Sequence, residues 1–388
     1  MKDDALLGFL VALVVAALLT PLVARFARRV GAVDAMTERG LARDATPLLG
    51  GLAIFGAVIA AALLFVPLTT PIKGILGGAA LITAVGAIDD WRALGAGPKL
   101  AGQIAAALIL VLSGVTMDIV TLPFVGRVEF NEAGAVLTMI GLVGLMNIVN
   151  FSDGIDGLAA GVCAISAGAF AIIAFDLGKD AAGVLAAITT GAAVGFLVHN
   201  FHPAAVFMGD CGALLLGLLL GGVIVEGSLK TNAVIALIVP LVVLAVPFLD
   251  TGFVVAKRIK YGRPVYRADT NHFHHRLNRL GFSQRRTVLY LYAWTFTMAG
   301  LAVALRFIPY SDDSGHLHVG WTLLMGVCFV VAIAASVYLV VVLEILKLRR
   351  VRAWQLRRQD PETSEHEIDS EVQRELETGE FRELDPHS

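Results

Sequence analysis

ALLGFLVALVVAALLTPLVA, residues 5–24, carries no charged side chain and is followed at once by Arg25, Arg28 and Arg29. About 20 apolar residues wound as an α-helix rise roughly 30 Å, the thickness of a bilayer's hydrocarbon core. No small-residue cleavage site follows the run and it has full spanning length, so it is expected to be a retained helix rather than a removable leader. Comparable runs lie near 47–66, 72–88, 100–117, 133–149, 157–175, 182–198, 212–225, 233–256, 287–308 and 321–346, eleven in all, with the eighth short. Of all side chains 57% are hydrophobic and 16% charged, where a soluble protein has about a quarter charged. The expected fold class is therefore an all-α integral membrane protein with about 11 transmembrane helices.

Lys and Arg in short loops stay on the cytoplasmic side, so their distribution orients the bundle. Alternate loops hold 22 against 5: the larger set includes Arg39, Arg43, Arg92, Lys99, Lys257, Arg276 and Lys347, the smaller Lys2, Lys73, Arg127, Lys179 and Lys230. The N-terminus is then outside and the C-terminus inside, which an odd number of spans requires. Residues 1–350 form the polytopic part. Residues 351–388 form a charged cytoplasmic tail, acidic from Asp360 onward and expected to be disordered. Segment 118–132 alternates apolar and polar residues, the pattern of a small hairpin. Cys163, Cys211 and Cys328 lie in or beside apolar runs and supply neither a disulfide framework nor a Cys-x-x-Cys site. The basic residues follow topology, and no nucleic-acid partner is expected.

A carboxylate in a bilayer costs a few kilocalories per mole, so each calls for a reason. Asp89 and Asp90 stand at the inner end of the third run. Asn147-Ile-Val-Asn150-Phe-Ser-Asp153-Gly-Ile-Asp156-Gly157 joins the fifth and sixth, and Phe207-Met-Gly209-Asp210-Cys-Gly212 precedes the eighth. Asp269-Thr-Asn-His272-Phe-His274-His275-Arg276 lies in the long basic loop. All four fall on the cytoplasmic side. Carboxylates can hold Mg²⁺, and Arg, Lys or His can hold phosphate oxygens, so this face suits an anionic, phosphate-bearing substrate. Singly, each motif has an ordinary reading: a solvated helix end, a turn composition, interfacial histidines or a Zn²⁺ site. Their coincidence on one face favours function.

Taken in order, Thr46-Pro-Leu-Leu-Gly-Gly51, Asp89-Asp90 with Lys99, Asn147 to Gly157, Asn200 to Asp210 and His272-Phe-His-His-Arg-Leu277 resemble the polyprenyl-phosphate N-acetylhexosamine-1-phosphate transferase superfamily (glycosyltransferase family 4). The resemblance spans about residues 20 to 285. It implies a multi-pass enzyme of the bacterial inner membrane, with the outer side periplasmic and the active site facing the cytoplasm. It also implies Mg²⁺ as cofactor, with Mn²⁺ able to replace it, a UDP-N-acetylhexosamine donor and an undecaprenyl phosphate acceptor. By this resemblance Asp210 is the metal ligand, and Asp89 and Asp90 are the acidic pair near the phosphates, with Asp89 the base that deprotonates the lipid phosphate. Asp153 and Asp156 match the Asp-Gly-x-Asp-Gly pair. Asp156 and Phe207 look like uracil-pocket residues, and Asn150 and Asn200 like phosphate or metal-shell contacts. Lys99, His272, His274 and His275 would stabilise the pyrophosphate, and Arg43 would reach the nucleotide. Ala213 departs from the family's usual Ser, removing a hydroxyl that could cap the eighth helix.

His-Phe-His-His-Arg-Leu after Asp-Thr-Asn looks like the undecaprenyl-phosphate N-acetylglucosamine-1-phosphate transferase branch, which starts envelope polysaccharides such as O-antigen. The pentapeptide translocase branch typically has three consecutive histidines followed by Phe-Glu. Direct attack of the lipid phosphate on the donor is expected, and a two-step route through an aspartyl phosphate stays open. Rival readings from other classes are a secondary transporter and a Zn²⁺ hydrolase built on the histidines. Homodimerisation through apolar helix faces is compatible with the composition, but no motif carries it.

Overall fold

The computed structural model describes residues 2–34, 45–117, 119–122, 126–130, 132–227, 283–307, 318–324, 326–328, 330–332, 334, 353, 356, 357 and 364–378. Arg43, His272, His274, His275, the ninth expected span and most of the eleventh lie outside the described residues.

The described chain is mostly helical, and it is an all-α membrane protein. Its helices are α1 (Lys2–Val30), α2 (Gly51–Phe65), α3 (Thr70–Arg92), α4 (Ala96–Leu112), α5 (Glu132–Ser152), α6 (Leu158–Asp176), α7 (Asp180–Asn200), α8 (Gly209–Gly227), α9 (Gln284–Phe307) and α10 (Glu365–Thr378). Seven of them, α1, α3 and α5 to α9, are long and apolar enough to cross a membrane, while α2 and α4 are apolar but shorter. β1 (Val33–Asp34) pairs antiparallel with β2 (Thr46–Pro47). β3 (Ile119–Leu122) pairs antiparallel with β4 (Gly126–Glu129), the small hairpin that the alternation in 118–132 predicts.

Residues 1–251 with 288–307 form one compact unit, and 252–287 with 308–388 a second. In the first, close backbone approach dominates. Lipid tails are as apolar as leucine, so helices in a bilayer gain by packing tightly, which small residues permit. On α1 the buried stripe is Ala5, Gly8, Ala12, Ala16, Thr20, Ala24 and Ala27, whereas Leu6, Leu10, Leu18 and Leu22 are exposed. The stripe seats on α7, where a Cβ on Gly191 or Gly195 would lie 2.2 Å from the carbonyl oxygen of Phe9 or Leu13. α8 is buried on nearly every side and packs on α3 and α5; a helix apolar all round belongs in a core.

α2 and α3 meet the first turn of α8 backbone to backbone. A Cβ on Gly51 would lie 2.1 Å from the amide nitrogen of Gly212, and one on Gly86 2.4 Å from Cα of Cys211. Gly86→Ala should therefore push α3 off α8 at a cost of about 1–3 kcal/mol. Thermal unfolding in detergent should register a lowered midpoint, and a wild-type midpoint would contradict this packing.

In the second unit, α10 occupies part of the tail expected to be disordered. The difference has a local cause. Ser364 and Glu367 form a reciprocal capping box: the Ser364 amide donates to the Glu367 carboxylate at 2.9 Å and the Glu367 amide donates to Ser364 Oγ at 3.3 Å. Both capping residues stand in the sequence, where the acidity of the tail outweighs them as a signal.

Candidate active site

The C-terminal ends of α1, α3, α5 and α7 and the N-terminal ends of α2, α4, α6 and α8 gather at one end of the first unit. Trp91 on α3, for example, donates its indole N–H to the last carbonyl of α1, that of Val30, at 3.1 Å. The polar motifs of the sequence lie in these turns.

α3 ends on its own carboxylate. Ala93 takes a left-handed conformation (φ 48°), and the Leu94 amide donates to Asp89 Oδ1 at 2.6 Å. Asp89 Oδ2 remains to meet the Lys99 ammonium at 3.0 Å. Lys99, in the first turn of α4, also donates to Asp210 Oδ2, so one cation bridges the carboxylates of α3 and α8. Asp90 points elsewhere. Its Oδ1 accepts the Asp210 amide at 2.7 Å and its Oδ2 the Cys211 amide at 3.1 Å. Consequently α8 begins at Gly209, earlier than the run 212–225 suggests, and Asp210 lies in its first turn rather than before it. Gly209 has φ 69°, and a Cβ there would lie 2.3 Å from Asp90 Oδ2; only glycine suits both demands.

Thr46-Pro-Leu-Leu-Gly-Gly51 supports the same turn from the other side. The Phe207 amide donates to the Pro47 carbonyl at 2.9 Å, and the Gly50 and Gly51 amides donate to the carbonyls of Phe207 and Met208 at 3.0 Å each. Phe207 itself is half-buried.

The turn between α5 and α6 carries Asp153 and Asp156. Asn150, half-buried in the last turn of α5, accepts the Asp153 amide at its backbone carbonyl. Burial, with the negative charges of Asp210, Asp90 and Asp156 added to it, pushes the Asp153 carboxyl up to about 8. Asp156 Oδ2 accepts from the Ala204 amide at 3.1 Å and lies 2.7 Å from His202 Nδ1. Asn200 is 3% exposed, its Oδ1 accepting from the Gly157 amide and its Nδ2 donating to the Val206 carbonyl. Both ends of that amide thus join the turn after α5 to the segment before α8.

Ionising Asp153 is opposed in the folded chain, since its carboxyl sits above the ordinary value of 3.8. Its influence on stability is therefore neutral below that value and increasingly unfavourable as pH rises toward 8. In chelator-treated protein the unfolding midpoint should fall as pH rises from about 4 to about 8 and level off above that, and Asp153→Asn should flatten the slope. Equal slopes in the two proteins would contradict the assignment.

Among the described residues, no group of three or more His, Cys, Asp or Glu side chains is spaced to hold a metal by itself. Mg²⁺ does not ask for one: it usually takes one or two carboxylates and completes its shell with water and substrate phosphate. Asp210 beside Asp89 fits that mode, with Lys99 the cation between the two among the described residues. Asp90 fits it poorly, because each of its oxygens already accepts a backbone amide.

The structure brings Asp89, Asp90, Lys99, Asp153 and Asp210 together and places Asp156, Asn200 and Phe207 in the adjoining turns. Three contributors carry little signal in the sequence. His202 lies in Asn200-Phe-His-Pro without a motif of its own. Tyr292, on α9, donates its hydroxyl to the Gly157 carbonyl and fills the space over Gly161, where a Cβ would lie 2.1 Å from the ring. Gln103, a lone polar residue inside the apolar run of α4, accepts at Oε1 from the side-chain amide of Asn147, the first residue of the Asn147–Gly157 stretch, at 2.6 Å.

Residues 72–228 match the family model described as glycosyl transferase family 4. The chain is 36% identical over 301 residues, 77% of this chain and 84% of the relative, to a "Probable undecaprenyl-phosphate N-acetylglucosaminyl 1-phosphate transferase" of Bacillus subtilis. It is 35% identical over 363 residues, 85% of this chain and 90% of the relative, to a decaprenyl-phosphate N-acetylglucosaminephosphotransferase of Mycobacterium leprae. A phospho-N-acetylmuramoyl-pentapeptide-transferase of Bacillus licheniformis is 32% identical over 323 residues, 77% of this chain and 94% of the relative. The model covers the helices that hold the acidic cluster, the relatives cover most of the rest, and the chain belongs to glycosyl transferase family 4.

Proposed function

We propose that the protein transfers N-acetylglucosamine 1-phosphate from its UDP-sugar to undecaprenyl phosphate, releasing UMP and leaving a lipid-linked diphosphate sugar that starts an envelope polysaccharide. The observation that carries this reading is the Asp89–Lys99–Asp210 bridge at the end of an apolar bundle. There an anionic lipid headgroup and a nucleotide diphosphate can meet where the hydrocarbon core gives way to water. The relatives named for N-acetylglucosamine transfer support the sugar.

In the proposed reaction an oxygen of the lipid phosphate attacks the sugar-proximal phosphorus of the donor. The bond from that phosphorus to the bridging oxygen breaks, and UMP leaves with the bridging oxygen. Asp89 takes the proton of the lipid phosphate when that group arrives protonated. Lys99 neutralises phosphate oxygens between Asp89 and Asp210. Asp210 would hold Mg²⁺, or Mn²⁺ in its place, which when bound neutralises the pyrophosphate as charge passes to the leaving group. Asp153, whose ionisation its neighbours oppose, would be drawn to its charged form by a cation bound beside it. Asp156 with Phe207 would border the base, Asn150 would contact phosphate or the metal shell, and Asn200, bonded to backbone at both ends of its amide, would hold the surrounding turns. His272, His274, His275 and Arg43 are assigned to the pyrophosphate and nucleotide on their sequence pattern alone. Eleven spans on the apolar runs, an outside N-terminus and a cytoplasmic site on the loop charges, and a bacterial inner membrane on the family resemblance complete the proposal.

UMP release from purified protein in detergent, with undecaprenyl phosphate and either UDP-N-acetylglucosamine or the UDP-muramoyl-pentapeptide, tests the donor. Release with the first and none with the second is expected. The reverse would move the protein to the pentapeptide branch, and none with any UDP-hexosamine would reopen transport.

A further inference from the structure

We propose that Asp90 is a positioning residue: its carboxylate fixes the start of α8, and so the direction in which Asp210 presents its own carboxylate to a divalent cation. This rests on the reading of Asp210 as the metal-binding carboxylate. The first amides of any helix lack partners within it, and Phe207-Met208 offers α8 no side-chain cap from its own segment. The cap comes from α3, where one oxygen of Asp90 takes the Asp210 amide and the other the Cys211 amide. A negative group at this terminus also favours the helix dipole.

Two further observations make the clamp rigid. Gly209 leaves no room for a Cβ between the two helices at Asp90. Gly86, one turn before Asp90 on α3, meets the backbone of Cys211 itself. Consecutive residues of a helix point roughly 100° apart. Asp89 accordingly faces Lys99 and Asp90 faces the α8 amides, and the acidic pair divides into two roles.

The test compares wild type with Asp90→Asn and Asp210→Asn as full-length protein in detergent. Mn²⁺ binding without substrate is read by electron paramagnetic resonance, and UMP release is read against Mg²⁺ concentration. Asparagine keeps one acceptor but presents N–H groups to the second amide. It should weaken Mn²⁺ binding and raise the half-activating Mg²⁺ concentration by about 10–100-fold, with turnover recovered at saturating Mg²⁺. Asp210→Asn should recover at no concentration. Unchanged Mn²⁺ affinity in Asp90→Asn overturns the proposal, whether activity survives or falls as far as in Asp210→Asn, which would put Asp90 on the substrate. If Asp90→Asn does not fold, Asp90→Glu, which keeps the charge and shifts the carboxylate, is read the same way. A wild-type protein that released no UMP would defeat the transferase reading, while the Mn²⁺ comparison would still decide the role of Asp90.

Discussion

Asp210→Asn is expected to lower UMP release by at least about 10³-fold at any Mg²⁺ concentration. Removing one preorganised electrostatic contact to a developing charge ordinarily costs about 10²–10³, and here the lost group would also hold the cation. The substitution is nearly isosteric and leaves the backbone amide of residue 210 on Asp90, so the fold should persist. A folded Asp210→Asn protein that keeps a tenth or more of wild-type turnover would remove Asp210 from the centre of the account.

Lys99→Met should be the second most damaging change, with turnover lowered by roughly 10²-fold and the unfolding midpoint lowered as well. Lys99 is the cation between Asp89 and Asp210, and without it two carboxylates face each other with no charge between them. Methionine keeps the length and apolar stem of the side chain, so the lost term is the ammonium. Lys99→Arg should rescue poorly, because a planar guanidinium cannot replace a compact ammonium held between two oxygens. Wild-type turnover in Lys99→Met would mean that the bridge is structural.

The membrane class and the positions of most helices were legible because apolar runs of spanning length are hard to read as anything else. The sequence also brought Asp89, Asp153 and Asp210 to one face, since loop charges orient the turns that contain them. What it could not supply was contact. Asp89 and Asp90 are chemically identical neighbours, and only the packing of α3 on α8 separates the one that meets Lys99 from the one that caps a helix. Asn200 was expected beside phosphate or metal, and the structure has both ends of its side chain bonded to backbone, a placement that no local pattern reveals. His202 and Tyr292 were missed for a related reason: Tyr292 reaches Gly157 from 135 positions away in the chain, inside a run that reads simply as a span. The boundary of α8 moved because its cap is borrowed from another helix, and α10 was overlooked although its capping box stands in the sequence.

In the proposed reaction a phosphoryl group, and not the sugar alone, moves to the lipid. UDP-N-acetylglucosamine labelled with ³²P at the sugar-proximal phosphorus, incubated with the protein, undecaprenyl phosphate and Mg²⁺, tests it most directly. Label is expected in the lipid fraction, with unlabelled UMP in the aqueous phase. Label remaining in water as UDP while the sugar enters the lipid would contradict it.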